Sequence, residues 1–194
     1  MDSVGIQSAF PQAVRRCLGF ALALSFGLWP LQSATLERLT LDDLIGKSTS
    51  IVRGTVTGSY AAFRGPVIYT HYSVQVSEQL KGSSQTTVDV VVPGGTANNL
   101  RQIFAGAPQV QAGDRFVFFL WTGSSGLTQI MGLTQGLFQI SAGASDDPQV
   151  TRPASSELML DPGNGRPVKD QTLVMSLSAL RSLIANGLNT GATQ

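Results

Sequence analysis

The stretch Ile68-Tyr-Thr-His-Tyr-Ser-Val-Gln-Val-Ser-Glu-Gln-Leu80 decides the fold of this chain. Every second residue, counted from Ile68, is mostly apolar, and the residues between them are mostly polar. A period of two is the side-chain period of a β-strand, because successive side chains point to opposite faces. The stretch therefore predicts an antiparallel strand with one face in a core and the other toward solvent.

Strand patterns continue on both sides of this segment. Ile51 to Val56 is rich in β-branched residues and contains Gly54, with Gly58 just beyond, which predicts a twisted or bulged strand. Tyr60 to Pro66 ends in Gly-Pro and is predicted to be a loop. Further strand patterns lie at residues 88–92, 100–104, 116–121 and 127–140. The segment at residues 116–121 is apolar on both faces, which predicts a strand in the centre of the sheet.

Two helices are predicted, one near each end of the part that carries strands. Thr40-Leu-Asp-Asp43 has the spacing of a capping box and predicts a short helix that ends near Lys47. Residues 176–185 place four apolar side chains on one helical face, and Gly187 is predicted to stop that helix. Residues 141–166 are rich in Gly, Pro, Asp and Ser, and they are predicted to form a loop excursion or a loose hairpin.

Several short strands without alternating helices predict an all-β barrel or sandwich with helical caps. A barrel is favoured because it removes the exposed strand edges that a weakly charged sheet would present. We expect one barrel domain with its N-terminal helix over residues 35–140. Residues 141–194 are then the excursion and the C-terminal helix, packed on the barrel.

Residues 1–34 have the pattern of an export signal. Arg15 and Arg16 precede an apolar run from Cys17 to Leu31, and small or polar residues follow. This run is shorter than the roughly 20 residues that a bilayer-crossing helix needs. We expect cleavage near Ala34, a secreted or periplasmic protein, and no stable membrane span after cleavage. The arginine pair leaves a twin-arginine signal as the second interpretation.

The composition excludes several classes of function. Of the 194 residues, 42% are apolar and only 13% are charged, which is too apolar for a disordered chain. Removal of residues 1–34 takes away one acidic and two basic residues from the 12 acidic and 13 basic ones, so the exported chain is formally neutral. We therefore expect no nucleic-acid partner. The single cysteine, Cys17, lies in the predicted signal, so no disulfide is expected.

Four segments carry a resemblance to a known family: Ser50-Ile-Val-Arg-Gly-Thr-Val56, Tyr72-Ser-Val-Gln-Val-Ser-Glu-Gln-Leu-Lys-Gly82, Val88-Asp-Val-Val-Val-Pro93 and Gly113-Asp-Arg-Phe-Val-Phe-Phe-Leu120. In this order they resemble exported netrin-like modules, which include tissue-inhibitor-type metalloproteinase inhibitors. They are more similar still to uncharacterised bacterial exported proteins with the same layout. The resemblance covers residues 36–140 and implies an oligonucleotide/oligosaccharide-binding (OB) barrel. The fold class expected is thus mainly β, a small antiparallel OB-like β-barrel with a short N-terminal helix and a C-terminal helix. The inhibitors depend on a cysteine at the mature amino terminus, which this chain lacks, so the resemblance implies a fold and no inhibitory mechanism.

The search for catalytic chemistry is mostly negative. His71 is the only histidine and lies on the polar side of its strand, where we expect a surface residue. No metal site or cofactor is expected. The predicted function is that of an exported, non-enzymatic binding module that recognises a protein or a glycan in the cell envelope or outside the cell. One alternative is a hydrolase that uses Glu78, Asp89 or Asp114. The other is a structural or assembly component of the envelope that docks through the helix at residues 177–184.

The resemblance also indicates where a ligand would bind. In OB barrels ligands usually meet the outer face of the second and third strands and the loops nearby. Aromatic rings beside guanidinium groups suit stacking on sugars or packing against protein. The predicted ligand-binding residues are Phe63, Arg64, Tyr69, His71, Arg101 and Trp121.

Overall fold

The structure, a computed structural model, describes residues 35–143 and 146–191. The export signal predicted for residues 1–34 lies outside the described residues. The helices and strands, in chain order, are β1 (Thr35–Glu37), α1 (Leu41–Lys47), β2 (Ser50–Arg64), β3 (Val67–Lys81), β4 (Thr87–Pro93), β5 (Gly95–Ala97), β6 (Leu100–Gln102), β7 (Arg115–Thr122), β8 (Thr128–Ile130), a 3₁₀ turn (Leu133–Gly136), β9 (Leu137–Ile140), β10 (Gln149–Arg152), β11 (Leu158–Leu160), β12 (Pro167–Val168), β13 (Leu173–Ser176) and α2 (Leu177–Gly191).

Eight strands form one sheet in the order β13-β10-β9-β7-β2-β3-β4-β8. Because β8 also pairs with β7, the strands β2, β3, β4, β8 and β7 curve into a ring. A single parallel pair, Val91 with Gln129, joins β4 to β8, so the ring is barrel-like without being a fully closed barrel. A partly open barrel of five strands is the OB architecture. The predicted fold class is confirmed: the chain is mainly β, with an OB-like sheet and a helix at each end.

The strand that the alternation predicts is β3. Ile68, Tyr72 and Val74 are buried, whereas Ser73 and Gln75 are exposed. The strand is antiparallel to both of its neighbours, β2 and β4. The predicted alternation and its orientation are therefore confirmed.

The two faces of the sheet pack against separate cores. Inside the barrel lie mainly valines and aromatic residues, namely Val52, Val56, Tyr72, Val74, Val88, Val90, Val92, Val110, Phe116, Phe118, Leu120, Ile130 and Leu137. On the outer face of β2, β7, β9 and β10 the two helices cover a second core, made of Leu44, Ile45, Ile51, Val117, Phe119, Phe138, Ile140, Val150, Leu177, Leu180 and Ile184. β7 contributes to both cores, as its apolar sequence on both faces predicts.

The capping box predicted for α1 is present. The Thr40 hydroxyl accepts a hydrogen bond from the Asp43 amide, and the Asp43 carboxylate accepts one from the Thr40 amide. Hydrogen bonds from Thr40 and from Lys47 lower the pKa of Asp43 to about 2. The helix ends at Lys47, as predicted.

The loop predicted over residues 60–66 is wrong. β2 continues to Arg64 and β3 begins at Val67, so a turn at Gly65 and Pro66 is all that separates the two strands. Gly65 has a φ of 61°, which glycine adopts without strain. The sequence Tyr-Ala-Ala-Phe lacks a strong strand pattern, but pairing with β3 along its whole length satisfies its backbone.

Two segments near the C-terminus are more regular than the sequence predicts. Residues 141–166, predicted as an excursion or a loose hairpin, include β10, which pairs with β9 and β13 and extends the main sheet, and β11, which pairs with β1 and β12. The second helix does not stop at Gly187 but continues to Gly191. A side chain at position 187 would approach Ile45 to 3.0 Å, so the glycine lets the two helices pack closely.

Gln135 links the N-terminal strand to the barrel. It is buried, its Oε1 accepts a hydrogen bond from the Leu39 amide at 2.8 Å, and its Nε2 donates to the Glu37 carbonyl at 2.9 Å. We expect Gln135→Ala to lower the free energy of unfolding by about 1–3 kcal/mol, because it leaves these backbone groups without partners. Denaturant unfolding measures the loss, and hydrogen exchange should become faster at the Leu39 amide.

The matched control is Gln139→Ala, since the Gln139 side chain is exposed on the neighbouring strand β9. It should change stability by less than about 0.5 kcal/mol. Equal losses in the two variants would show that Gln135 does not hold the N-terminal strand.

Candidate functional site

One row of residues crosses the outside of the barrel from β2 to β7. Register pairs join Tyr60 to His71, His71 to Val91, Val91 to Gln129, and Gln129 to Trp121. Paired residues place their side chains on the same face of a sheet, so all five lie on the outer face of the ring and follow it around the barrel, with Val91 buried in the middle of the row. We call it the outer row. Tyr60 and Trp121, at its two ends, are 57% and 45% exposed, respectively.

The β2 end of the outer row carries a stack of two rings. The Tyr60 and His71 ring centroids are 4.7 Å apart and the ring planes differ by 7°. Nδ1 of His71 lies 2.8 Å from Oδ2 of Asp89 on β4. Because a carboxylate can only accept, Nδ1 of His71 carries the proton in this contact. Asp89 thus fixes the orientation of His71, and His71 supports the exposed Tyr60 ring.

The β7 end of the outer row borders a cavity of about 260 Å³. Trp121, Val91 and Gln129 all line it, so the row continues into this cavity. The indole ring lies against Gly123, where an added side chain would come within 2.6 Å of the ring. Gly123 therefore gives the Trp121 ring a flat backbone surface to lie on. By strand spacing, three steps of about 4.8 Å along the curved sheet separate His71 from Trp121.

The tips of two hairpins are tied together beside the outer row. The Arg64 guanidinium, at the end of β2, donates a hydrogen bond of 2.6 Å to the Ser125 carbonyl in the turn between β7 and β8. Arg64 shares the strand parity of Tyr60 and so belongs to the outer side. Its contact braces the turn next to Trp121.

The structure places the six predicted ligand-binding residues on two faces. Tyr69, His71, Arg64 and Trp121 lie on the outer side of the barrel. Phe63 pairs with Ile68, so it lies on the opposite face of the hairpin. Arg101 is on β6, in the β5–β6 hairpin, which packs on that same opposite face.

Four residues of this site are not among the predicted ones, namely Tyr60, Asp89, Val91 and Gln129. The sequence predicts a loop at Tyr60, although positions equidistant from the Gly65–Pro66 turn pair with each other, and this rule places it opposite His71. Asp89 appears in the sequence analysis only as a candidate acid of a hydrolase. The alternation at residues 88–92 places Asp89 on the outward side of its strand, and this pattern indicates a position on the same face as His71.

The three carboxylates of the hydrolase alternative have separate partners. Glu78 pairs with Arg181 at 2.6 Å, Asp89 with His71, and Asp114 accepts a hydrogen bond from the Gln111 amide. No described hydroxyl or thiol makes a hydrogen bond with the His71 ring. Over residues 35–143 and 146–191, no cluster of three or more His, Cys, Asp or Glu residues could hold a metal ion.

The helix at residues 177–184, which the envelope-component alternative uses as a docking surface, turns its apolar face inward. Leu177, Leu180 and Ile184 are buried in the second core, and Leu183 alone of the four predicted residues is largely exposed. Within the described part of the chain, neither helix is both long and apolar enough to cross a membrane.

Comparison with protein-family models, with curated proteins and with solved structures finds no match to this chain. The chemistry of the outer row is therefore the basis for a functional assignment. It combines exposed aromatic rings with a carboxylate, a carboxamide and an imidazole nitrogen, a set that can stack on a ring and hydrogen-bond to hydroxyl groups.

Proposed function

We propose that this protein is an exported binding module whose outer row recognises a neutral glycan in the cell envelope or outside the cell. The observation that carries the proposal is the Tyr60–His71 stack held by Asp89, on the same row as Trp121. The apolar segment at Cys17–Leu31 supports export. The resemblance to netrin-like modules agrees with an exported OB-type scaffold.

Two properties of the outer row favour a glycan as the ligand. Tyr60 and Trp121 offer flat apolar surfaces to the C–H faces of sugar rings, and the supporting contacts hold these rings before any ligand arrives. Asp89 and Gln129 lie beside them and can bind hydroxyl groups as acceptor or donor. The formal neutrality expected of the exported chain gives no long-range attraction for a charged ligand, which agrees with a neutral one.

The proposal is tested by applying the purified full-chain protein to a glycan array and measuring the affinity for the glycan that is retained best. We expect Tyr60→Ala to weaken this binding at least tenfold, about 1.4 kcal/mol, since exposed aromatic anchors dominate such surfaces. Isothermal titration calorimetry measures the change.

Phe63→Ala is the matched control, because it removes an exposed aromatic ring from the same hairpin on its opposite face. Its affinity should stay within about twofold of the unchanged protein. Equal losses in both variants, or no glycan retained by the unchanged protein, would overturn the proposal. If an envelope protein binds instead and its binding depends on Tyr60, the outer row is a protein-binding surface.

A further inference from the structure

A second, larger cavity opens on the other side of β3 and β4. Its volume is about 630 Å³, within the range of small-molecule sites. It lies between the inner-face residues Thr70, Tyr72 and Val92 and the β5–β6 hairpin with the segment that follows it. We call it the mouth groove, because it lies at an open end of the barrel. Thr70 and Tyr72 have the opposite strand parity to Tyr69 and His71, so the groove lies on the other face of β3 from the Tyr60–His71 stack. It adjoins the cavity beside Trp121, with which it shares Val92, Pro93 and Pro108.

The walls of the mouth groove are held by specific contacts. Oε1 of Gln102 accepts a hydrogen bond of 2.7 Å from the Ile68 amide, and the Thr70 hydroxyl donates one of 2.8 Å to the Gly94 carbonyl. Gly95 has a φ of 136°, and a side chain there would come within 2.5 Å of the Thr70 hydroxyl oxygen. Glycine therefore lets the hairpin lie directly on β3. The groove is formed without a ligand, which lowers the cost of binding one.

A polar atom without a partner lies at the inner wall of this groove. Tyr72 lines the groove and is only 6% exposed, with its ring in the barrel core. Its hydroxyl makes no hydrogen bond with any residue in the described part of the chain. The hydroxyl oxygen itself is not fully buried and is open to solvent. The Tyr72 hydroxyl is thus available to a polar group of a ligand.

The remaining lining is mixed, and it includes two exposed apolar side chains and one positive charge. Ile103 is 74% exposed and its neighbour Phe104 is 38% exposed, so the two form a small apolar patch at the groove. Arg101 is the charged residue among those that line the groove, and in the described part of the chain its guanidinium has no ion-pair partner. A cation beside exposed apolar side chains complements a ligand that has an apolar body and one negative group.

We propose that the mouth groove binds a small amphipathic carboxylate. The guanidinium of Arg101 pairs with the carboxylate, and Ile103 and Phe104 cover the apolar body of the ligand. The Tyr72 hydroxyl hydrogen-bonds to a polar atom that enters the groove. This activity is additional to glycan binding and does not depend on it, because its anchors Arg101 and Tyr72 are not part of the outer row.

The experiment compares decanoate with decylamine, which have the same chain length and opposite charges. Each is titrated into the isotopically labelled full-chain protein below its aggregation concentration, and amide shifts are recorded. We expect decanoate to shift residues 94–95 and 101–104 and to bind at least about tenfold more tightly than decylamine. No binding of decanoate, tighter binding of decylamine, or shifts elsewhere would overturn the proposal.

Variants test the two polar anchors of the groove separately. Arg101→Gln should weaken decanoate binding at least about tenfold and leave decylamine unchanged, whereas Arg166→Gln, in a remote turn, should change neither. Tyr72→Phe keeps the ring in the core and should weaken the binding of 10-hydroxydecanoate by about three- to tenfold, while decanoate binding changes less. Equal effects of Arg101→Gln and Arg166→Gln, or the same effect of Tyr72→Phe on both ligands, would contradict the assigned roles.

Discussion

An Asp170→Ala variant is expected to lose about 3–5 kcal/mol of its free energy of unfolding, because the change leaves a buried guanidinium without its counter-charge. The side chains of Arg152 and Asp170 are 5% and 2% exposed, and Nη2 of Arg152 lies 2.8 Å from Oδ1 of Asp170. The same nitrogen also donates to the Gln171 carbonyl. Nε and Nη1 of Arg152 are buried without partners, so Asp170 provides the compensation for this charge.

Denaturant unfolding measures this loss, and two further variants control for it. Asp42→Ala removes an exposed carboxylate from the first turn of α1 and should cost less than about 1 kcal/mol. Replacement of both partners, Arg152→Met with Asp170→Leu, should recover most of the loss, because no buried charge remains. If Asp170→Ala were no more destabilising than Asp42→Ala, the buried pair would not have the assigned role.

The pH dependence of stability gives an independent check on the same pair. Burial raises the pKa of the Asp170 carboxyl, but hydrogen bonds from the Ser155 amide and from Arg152 outweigh this effect and hold the pKa below its ordinary value. The carboxylate therefore contributes its full stabilisation above the unfolded-state pKa of about 3.9. The contribution is lost as the pH falls through the lower pKa of the folded state. Asp170→Ala should flatten the stability profile in this acidic range.

The second large effect is expected at Gly54, in the middle of β2. An alanine Cβ there would lie 2.6 Å from Cγ1 of Val74 and 2.8 Å from the backbone oxygen of Gln75, and that oxygen cannot move without breaking the β2–β3 pairing. We expect Gly54→Ala to cost about 1–3 kcal/mol or more of the free energy of unfolding, which thermal and denaturant unfolding would measure.

Gly58 provides the matched control on the same strand. No atom lies within 4 Å of the position that its added Cβ would take, so Gly58→Ala should be neutral to within about 1 kcal/mol. A similar loss in both variants would mean that the intrinsic cost of alanine on β2, and not the close approach to β3, decides the result.

The local pattern of the sequence predicts the parts of this fold that depend on neighbouring residues. The alternation from Ile68 to Leu80 identifies β3, and Thr40 with Asp43 identifies the start of α1. Gly54 and Gly58 predict an irregular strand, and the structure has register shifts between Arg53 and Gly54 and between Val56 and Gly58. Each of these features depends on a backbone period or a short contact within a few residues.

The features that the sequence does not reveal depend on pairing between distant segments. His71 and Asp89 meet because β3 and β4 pair in one particular register. Arg152 and Asp170 meet because β10 and β13 are neighbours, and an exposed-looking sequence rich in Pro and Ser gives no sign of a buried ion pair. The outer row joins β4 to β7 through β8, which has only three residues. No local period marks a contact of this kind.

The most direct test of the outer row is a map of amide shifts in the isotopically labelled full-chain protein, titrated with the glycan that the array retains best. Our account predicts shifts at Tyr60, at residues 69–71, at Asp89 and around Trp121, with the amides of the β5–β6 hairpin unchanged. Shifts confined to the β5–β6 hairpin or to the helices, with residues 60, 71 and 89 unaffected, would contradict it.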